Sequence, residues 1–290
     1  MVNLTSFTLC YTLTHEISIG QLLDFLESAP RLRHVELHDA PFISSDQNGR
    51  LVSLARLENL IIRAAEPLSL LLDHILVPVG ASLETELKSP RPRIEDQLPR
   101  SLDNLRNLSN FTRLYLRIDE SDSLIKIAGL NGRVRLVSTS PGASIVDFVL
   151  ESLSRFNTST VEQLEISRSD PLPEDLLYQA LLPMENLHIL IISRCGYLDP
   201  FICALDTRIG SWNVLACPKL EELVPRVRRE DEFDVYGMVG MAAARASRGA
   251  KLRSVRVVAL GKFTPVDVSE LGKHVSQVEC CFEDADPTDD

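Results

Sequence analysis

Apolar residues recur along the chain in a short pattern, apolar-x-x-apolar-x-apolar. It stands at Leu4/Phe7/Leu9, Leu32/Val35/Leu37, Leu57/Leu60/Ile62, Phe111/Leu114/Leu116, Val161/Leu164/Ile166, Leu187/Leu190/Ile192, Leu252/Val255/Val257 and Val275/Val278/Cys280. Two degenerate copies fit less well: Val134/Leu136 without a first apolar residue, and Leu220/Leu223 with Pro225 in the third slot. The last two apolar positions are two apart, so they share one face of an extended strand while the residues between them point the other way. Each copy of the pattern therefore predicts a strand.

Between the strands the spacing turns helical. Ser18-Ile19-Gly20-Gln21 has the form of a capping box opening a short helix, with Leu22, Leu23 and Leu26 inward and Pro30 stopping it before Leu32. Leu68, Leu71, Leu72, Ile75 and Leu76 make a second apolar helical face, and Leu176, Leu177, Ala180 and Leu181 a third. Ser144 is placed to cap a helix through Ile145, Val149 and Leu153; Asp231 to Ser247, rich in Ala and Met, predicts the longest helix, and Thr264-Pro265 is a last helix start. Lys88 to Arg100, with mixed charge and three prolines, reads as a flexible inserted loop.

Successive first positions are roughly 23 to 33 residues apart, with gaps near twice 25 around Leu83 and Val134, close to the period of leucine-rich repeats. Strand and helix alternating at that period admit two α/β solutions, a doubly wound sheet or a curved solenoid. The repeated strand pattern favours the solenoid. A helix is about 10 Å wide and adjacent strands lie about 4.8 Å apart, so helices confined to one face force the sheet to curve with its strands on the concave side. The expectation is an irregular leucine-rich-repeat solenoid over residues 1–282, interrupted by the loop at about 88–100 and followed by an acidic disordered tail at 283–290.

The residues leading into the strands repeat a phrase, Ala29-Pro30-Arg31-Leu32-Arg33-His34-Val35-Glu36-Leu37 near the start and Cys217-Pro218-Lys219-Leu220-Glu221-Glu222-Leu223 near the end. This resembles the leucine-rich region of fungal F-box proteins. The segments Asp231-Glu232-Phe233-Asp234, Ala242 to Gly249 and Leu252-Arg253-Ser254-Val255 resemble that group's final helix and strand. The resemblance implies the substrate-binding part of a ubiquitin-ligase adaptor. It departs from the group in two respects. Leu4 already opens a repeat strand with no Leu-Pro-x-Glu-like opening before it, so a Skp-type adaptor is an expected partner only if an F-box is supplied upstream. The position eight after the first Leu, often Asn or Cys, is Ala40, Ala65, Asp119 and Ser169 in four copies and Cys only at Cys195.

Composition narrows the partner class. The chain has 290 residues, 44% hydrophobic and 24% charged, which suits a soluble globular protein. The apolar stretch Leu68 to Val79 is broken by Asp73, His74 and Pro78, too short for the roughly 20 residues of a membrane span. The first residues lack a basic start and continuous apolar run, so an intracellular location, cytoplasmic or nuclear, is expected. A net charge of −11 argues against nonspecific nucleic-acid binding.

Catalytic motifs are not evident, and no cofactor or metal is expected. Gly129-Leu130-Asn131-Gly132-Arg133 lacks the glycine spacing and the Lys-Ser/Thr pair of a phosphate loop, and reads as a surface turn. Asp46-Gln47-Asn48-Gly49 starts like a calcium loop without its distal Glu. His34 and His38 have a ligand-like spacing only if helical, and here they fall on a strand. Cys195, Cys203 and Cys217 are irregularly spaced and read as small buried residues, and Trp212 reads as core. An α/β hydrolase or transferase with an unrecognised site, and a degenerate non-functional fragment, are the competing readings.

The expected site is the strand face turned away from the helices. It offers His34, His38 and Arg63 early, Arg113, Tyr115, Arg117, Arg133 and Arg135 on two middle strands taken to be neighbours, and Ile189 and Ile191 later. Arginine and tyrosine dominate binding hot spots, so the middle strands predict a basic patch that grips an acidic or phosphorylated segment of a protein partner. The six cysteines are expected to be free, because a reducing compartment disfavours disulfides. Thiol titration of the denatured, unreduced chain should count about six; reproducible protection of a pair would contradict this.

Overall fold

A computed structural model describes residues 3–10, 17–39, 42–43, 49–65, 67–88, 93–108, 111–118, 123–129, 133–138, 153–168, 173–193, 198–206, 214–227, 234–260 and 269–283. The protein is α/β, with parallel strands and intervening helices. The chain divides into two compact units, residues 1–112 with 120–152, and residues 113–119 with 153–290.

The first unit carries β1 (Ser6–Cys10), the short β2 (Ile17–Ser18), β3 (His34–His38), the short pair-formers β4 (Phe42–Ile43), β5 (Val52–Ser53) and β7 (Ile75–Leu76), and β6 (Asn59–Ala64), β8 (Ser82–Leu87), β10 (Ser123–Gly129) and β11 (Arg133–Ser138). Its sheet runs β1-β3-β6-β8-β11-β10. All these pairings are parallel except that between β10 and β11. The second unit holds β9 (Phe111–Ile118), β12 (Gln163–Arg168), β13 (Ile189–Ser193), β14 (Glu222–Val227), β15 (Ser254–Leu260) and β16 (Gln277–Glu283), paired in parallel in that order.

Every copy of the apolar pattern, including the two degenerate ones, falls on a strand of these sheets. Its alternation sets which face is sealed: Val35, Leu37, Leu60, Ile62 and Leu83 in the first unit, and Leu164, Leu190, Leu223, Val255 and Val257 in the second, are at most 2% exposed. The first residue of the pattern has a different task. Leu32, Leu57, Leu187 and Leu220 are buried ahead of their strands, and each backbone N–H donates to the carbonyl three residues earlier, of Ala29, Leu54, Met184 and Cys217. This turn aims the chain into the sheet. The next carbonyl then receives two N–H groups of the following strand: Thr5 from Arg33 and His34, Arg33 from Glu58 and Asn59, Glu162 from His188 and Ile189, His188 from Glu221 and Glu222, and Glu221 from Arg253 and Ser254, all at 2.8–3.1 Å.

The helices lie where the apolar spacing places them, with corrections. Helix α1 (Ile19–Ser28) opens on the expected capping box, Ser18 Oγ accepting from the Gln21 N–H at 3.2 Å and Gln21 Oε1 from the Ser18 N–H at 3.3 Å. Its Phe25 ring packs against Phe7 of β1 with centroids 4.3 Å apart. The helix expected through Leu76 is a single turn, α2 (Ser69–Leu72); the chain then extends so that β7 pairs with β5. Within the expected flexible loop, residues 93–100 instead hold α3 (Ile94–Gln97), with Ile94, Gln97 and Leu98 buried and the Gln97 amide donating to the Val137 carbonyl at 2.7 Å. Burial of three side chains overrides a loop-like composition. Strand β10 was not foreseen from the pattern. Helices α4 (Glu174–Leu181), α5 (Asp199–Leu205) and α6 (Val235–Ser247) serve the second unit. The Ser144 helix, the Thr264-Pro265 start, Asp46 to Asn48, residues 130–132, Cys195, Trp212 and the tail from 284 lie outside the described residues.

One buried charge fastens α6 to the sheet. Arg245 is fully buried, its two terminal nitrogens donating to the carbonyls of Ala216 at 3.0 Å and Cys217 at 2.7 Å. Burial lowers its pKa. Cys217 stands in the left-handed region at φ 48°, and its thiol, pushed up to about 12 by burial, donates to the Leu181 carbonyl at 3.3 Å. The guanidinium thus holds a turn that a non-glycine residue adopts at a cost. Arg245→Met removes the guanidinium donor from the Ala216 carbonyl and leaves the Cys217 carbonyl with only the Leu220 N–H, and the expected loss is about 1–3 kcal/mol in urea unfolding, the relief of desolvating a charge offsetting part of a larger gross cost. An unchanged midpoint would show that the turn holds itself.

Candidate functional site

Each unit has a sheet face that its apolar core does not claim. In the first unit this face alternates with the sealed one along β3, β6 and β8, where His34, Glu36, His38, Asn59, Ile61, Arg63, Ser82, Glu84 and Glu86 are all half-buried. The parallel register sets their neighbours. Arg135 lies beside Glu84, and Arg63 beside Glu86. Arg135 reaches Glu84 at 2.7 Å, while Arg63 reaches Glu84 at 3.3 Å and Glu86 at 3.4 Å. Two carboxylates on β8 therefore sit between two guanidiniums.

The histidines are held in the same way. His34 Nδ1 lies 2.9 Å from Asn59 Nδ2 and its Nε2 3.8 Å from Glu58, while His38 Nε2 lies 3.4 Å from Glu36. These contacts are side-by-side pairings along a surface. Among the described residues no group of three or more His, Cys, Asp or Glu comes together to hold a metal.

The second unit's free face has a different character at its centre. Ile191, Val224 and Val258 form a small apolar cluster with Ile189 packed against it. Ile191 is only 9% exposed and Val224 only 2%. Ion pairs flank the cluster. Arg226 on β14 pairs with Glu165 on β12 at 3.4 Å, reaching across the intervening strand β13, and Arg256 pairs with Glu222 at 2.8 Å. Beside the cluster, a groove of about 410 Å³ runs along the start of β13 to β16, bordered by His188, Ile189, Glu222, Arg253, Arg256 and Glu279. An apolar centre with a charged border is the arrangement found in protein-binding surfaces.

The structure redistributes the residues expected from sequence. Arg113, Tyr115 and Arg117 share the free face of β9, Arg113 being exposed and the other two half-buried. Arg133 and Arg135 stand on β11, whose two neighbours are β8 and β10, so β11 is not the neighbour of β9 expected from sequence. The intervening strand β10 is the reason, since its hairpin with β11 carries the chain back toward β8. Arg63 and Arg135 are charge-compensated rather than freely basic. Ile189 and Ile191 belong to the apolar cluster.

Several site residues escaped sequence reasoning. Glu84 and Glu86 lie on a strand whose third slot is Thr85, fully buried, so the pattern skipped it. Val224 and Val258 carried a legible signal, the doublets Leu223-Val224 and Val257-Val258, because consecutive apolar strand residues place one side chain on each face. Among the described residues no helix is long and apolar enough to cross a membrane. No family model, curated protein or solved structure matches this chain.

Compensation of the arginines is testable without a partner. Glu84→Gln combined with Glu86→Gln leaves Arg63 and Arg135 unneutralised, and retention on a heparin column should increase markedly. The pairs are partly solvent-exposed, so the expected stability cost is under about 1 kcal/mol each. Unchanged retention would mean that the carboxylates do not mask the arginines.

Proposed function

We propose that this chain is a protein-protein recognition module, an irregular leucine-rich-repeat solenoid that receives its partner on the free strand face. The observation that carries this reading is the two-sidedness of the sheets: one face is sealed by the apolar pattern, and the other presents polar and charged side chains, in the second unit around an apolar cluster. The recurring turn and two-donor carbonyl support a repeat, because the same backbone contacts return at several strand starts. The resemblance of the strand-leading phrases extends the proposal to the substrate-binding part of an F-box-type ubiquitin-ligase adaptor in the cell interior.

The two units offer different surfaces to such a partner. On the first, neutralised arginines favour hydrogen-bonding and mixed-charge contacts. On the second, Arg113, Tyr115 and Arg117 on β9 suit an acidic or phosphorylated segment, since guanidinium groups bind carboxylate and phosphate bidentately. The apolar cluster with Ile189 suits an aliphatic or aromatic anchor beside it.

The test is selection of a displayed peptide library on the folded chain. Enriched sequences should combine acidic residues with an apolar anchor. Arg113→Ala with Arg117→Ala should weaken those peptides by about tenfold or more, as loss of hot-spot arginines does, and because Arg117 is half-buried a melting curve checks that the double variant stays folded. Arg135→Ala, in the other unit, should leave them intact. Failure to enrich any sequence would overturn the recognition reading; enrichment insensitive to the β9 pair would move the site away from β9.

A further inference from the structure

We infer, resting on the recognition reading above, that the groove over β13 to β16 takes a basic side chain of the partner segment against Glu279, beside an apolar anchor seated on Ile189. The groove, about 410 Å³ in volume, lies wholly in the second unit. Its ionised side chains are three carboxylates, Glu221, Glu222 and Glu279, against two guanidiniums, Arg253 and Arg256. One carboxylate is in surplus.

Register shows which one. Arg256 stands level with Glu279 on the neighbouring strand, yet its guanidinium turns the other way and pairs with Glu222 at 2.8 Å. Arg253 and Glu221 open adjacent strands, the Arg253 N–H donating to the Glu221 carbonyl at 2.8 Å, so their opposite charges offset each other at the strand starts. That leaves Glu279. Its carboxylate accepts from the side-chain amide of Gln277 and has no lysine or arginine partner among the described residues. A neutral amide satisfies one lone pair and none of the charge. An acidic or apolar group pressed onto this carboxylate would strip its water without compensation, whereas an ammonium or guanidinium replaces that water with a charge-assisted hydrogen bond. The net charge of −11 adds a general attraction for cations.

Strand geometry converts the charge into a spacing. Ile189, Glu222, Ser254 and Gln277 form one row across β13 to β16. Three strand steps of about 4.8 Å, then two residues along β16, put Glu279 about 16 Å from Ile189. An extended segment advances about 3.3 Å per residue, so its basic residue stands about five positions from its apolar anchor. In the other direction the same row reaches Arg113 on β9 in two steps, about 10 Å. The acidic residue expected over β9 therefore falls about three positions before the anchor. Acid and base flank the anchor on opposite sides.

The probe is a capped nonapeptide with glutamate first, leucine fourth and arginine last, glycine and serine filling the other positions, titrated into the folded chain and followed by amide NMR. It should bind about threefold or more tighter than its citrulline counterpart, which has the same shape without the charge. Glu279→Gln should remove that preference, and Glu279→Arg should transfer it to a peptide ending in glutamate. Glu279 is exposed, and thermal melting checks that both variants stay folded. Failure of the arginine peptide to bind at millimolar concentration, equal affinity for arginine and citrulline, a preference for terminal glutamate in the unaltered chain, or a preference that survives Glu279→Gln would each overturn the proposal. Library-selected peptides that depend on β9 and Ile189 but carry no basic residue would overturn it too, while leaving the recognition reading in place.

Discussion

Backbone hydrogen bonds at the strand starts are the constraint on which the described structure depends. A single carbonyl, that of Thr5, Arg33, Glu162, His188 or Glu221, accepts from two successive N–H groups of the next strand. This fixes the register before side chains contribute. A slip of one residue would turn Leu60 and Ile62 toward the free face and Ile61 and Arg63 into the core. The buried leucine ahead of each strand makes the contact possible, because its own N–H closes a turn onto the carbonyl three residues earlier. Where that turn is strained, at Cys217, the buried guanidinium of Arg245 supplies donors from a helix.

Register in turn decides the electrostatics of the free faces. Residues that are more than twenty positions apart in sequence become neighbours at strand spacing, as Arg63 and Glu84 do. Opposite charges then neutralise one another across strands. The same rule operates at the strand starts, where Arg33 meets Glu58 at 3.1 Å. A face built this way discriminates partners by the position of each charge rather than by net charge, and its apolar floor contributes contact area that is partly covered in the free state. Ile191, almost enclosed although it lies away from the main core, illustrates the consequence: an ion pair that reaches across β13 flanks its side chain.

The edges obey a different physics from the interior. Inside the sheet every strand has two partners, and apolar rows such as Leu190, Leu223 and Val255 are closed on both sides. At β16 the rows meet a half-buried Val278 and an exposed Cys280, and β15 is this strand's one neighbour among the described residues, so its apolar pattern outruns its burial. That mismatch separates it from the free faces, where polarity already suits water.

The sequence by itself determined the strands that carry the apolar pattern, their inward residues and the α/β class, because strand periodicity is local and the hydrophobic pattern reports it directly; β8 and β10 escaped it. It also determined the start of α1, since the Ser18 and Gln21 side chains cap within one turn. Tertiary structure decided what locality cannot carry. The loop-like composition before Arg100 became a buried helical turn because Gln97 found the carbonyl of Val137, forty residues on. The two middle strands expected to be neighbours are not, because β10 occupies the place beside β11, and Arg63 and Arg135 were neutralised because parallel register brought Glu84 and Glu86 alongside. A charge in the sequence has a type and an order, but its partner is set by which strands lie side by side, and that depends on long-range hydrogen bonds that no short window contains.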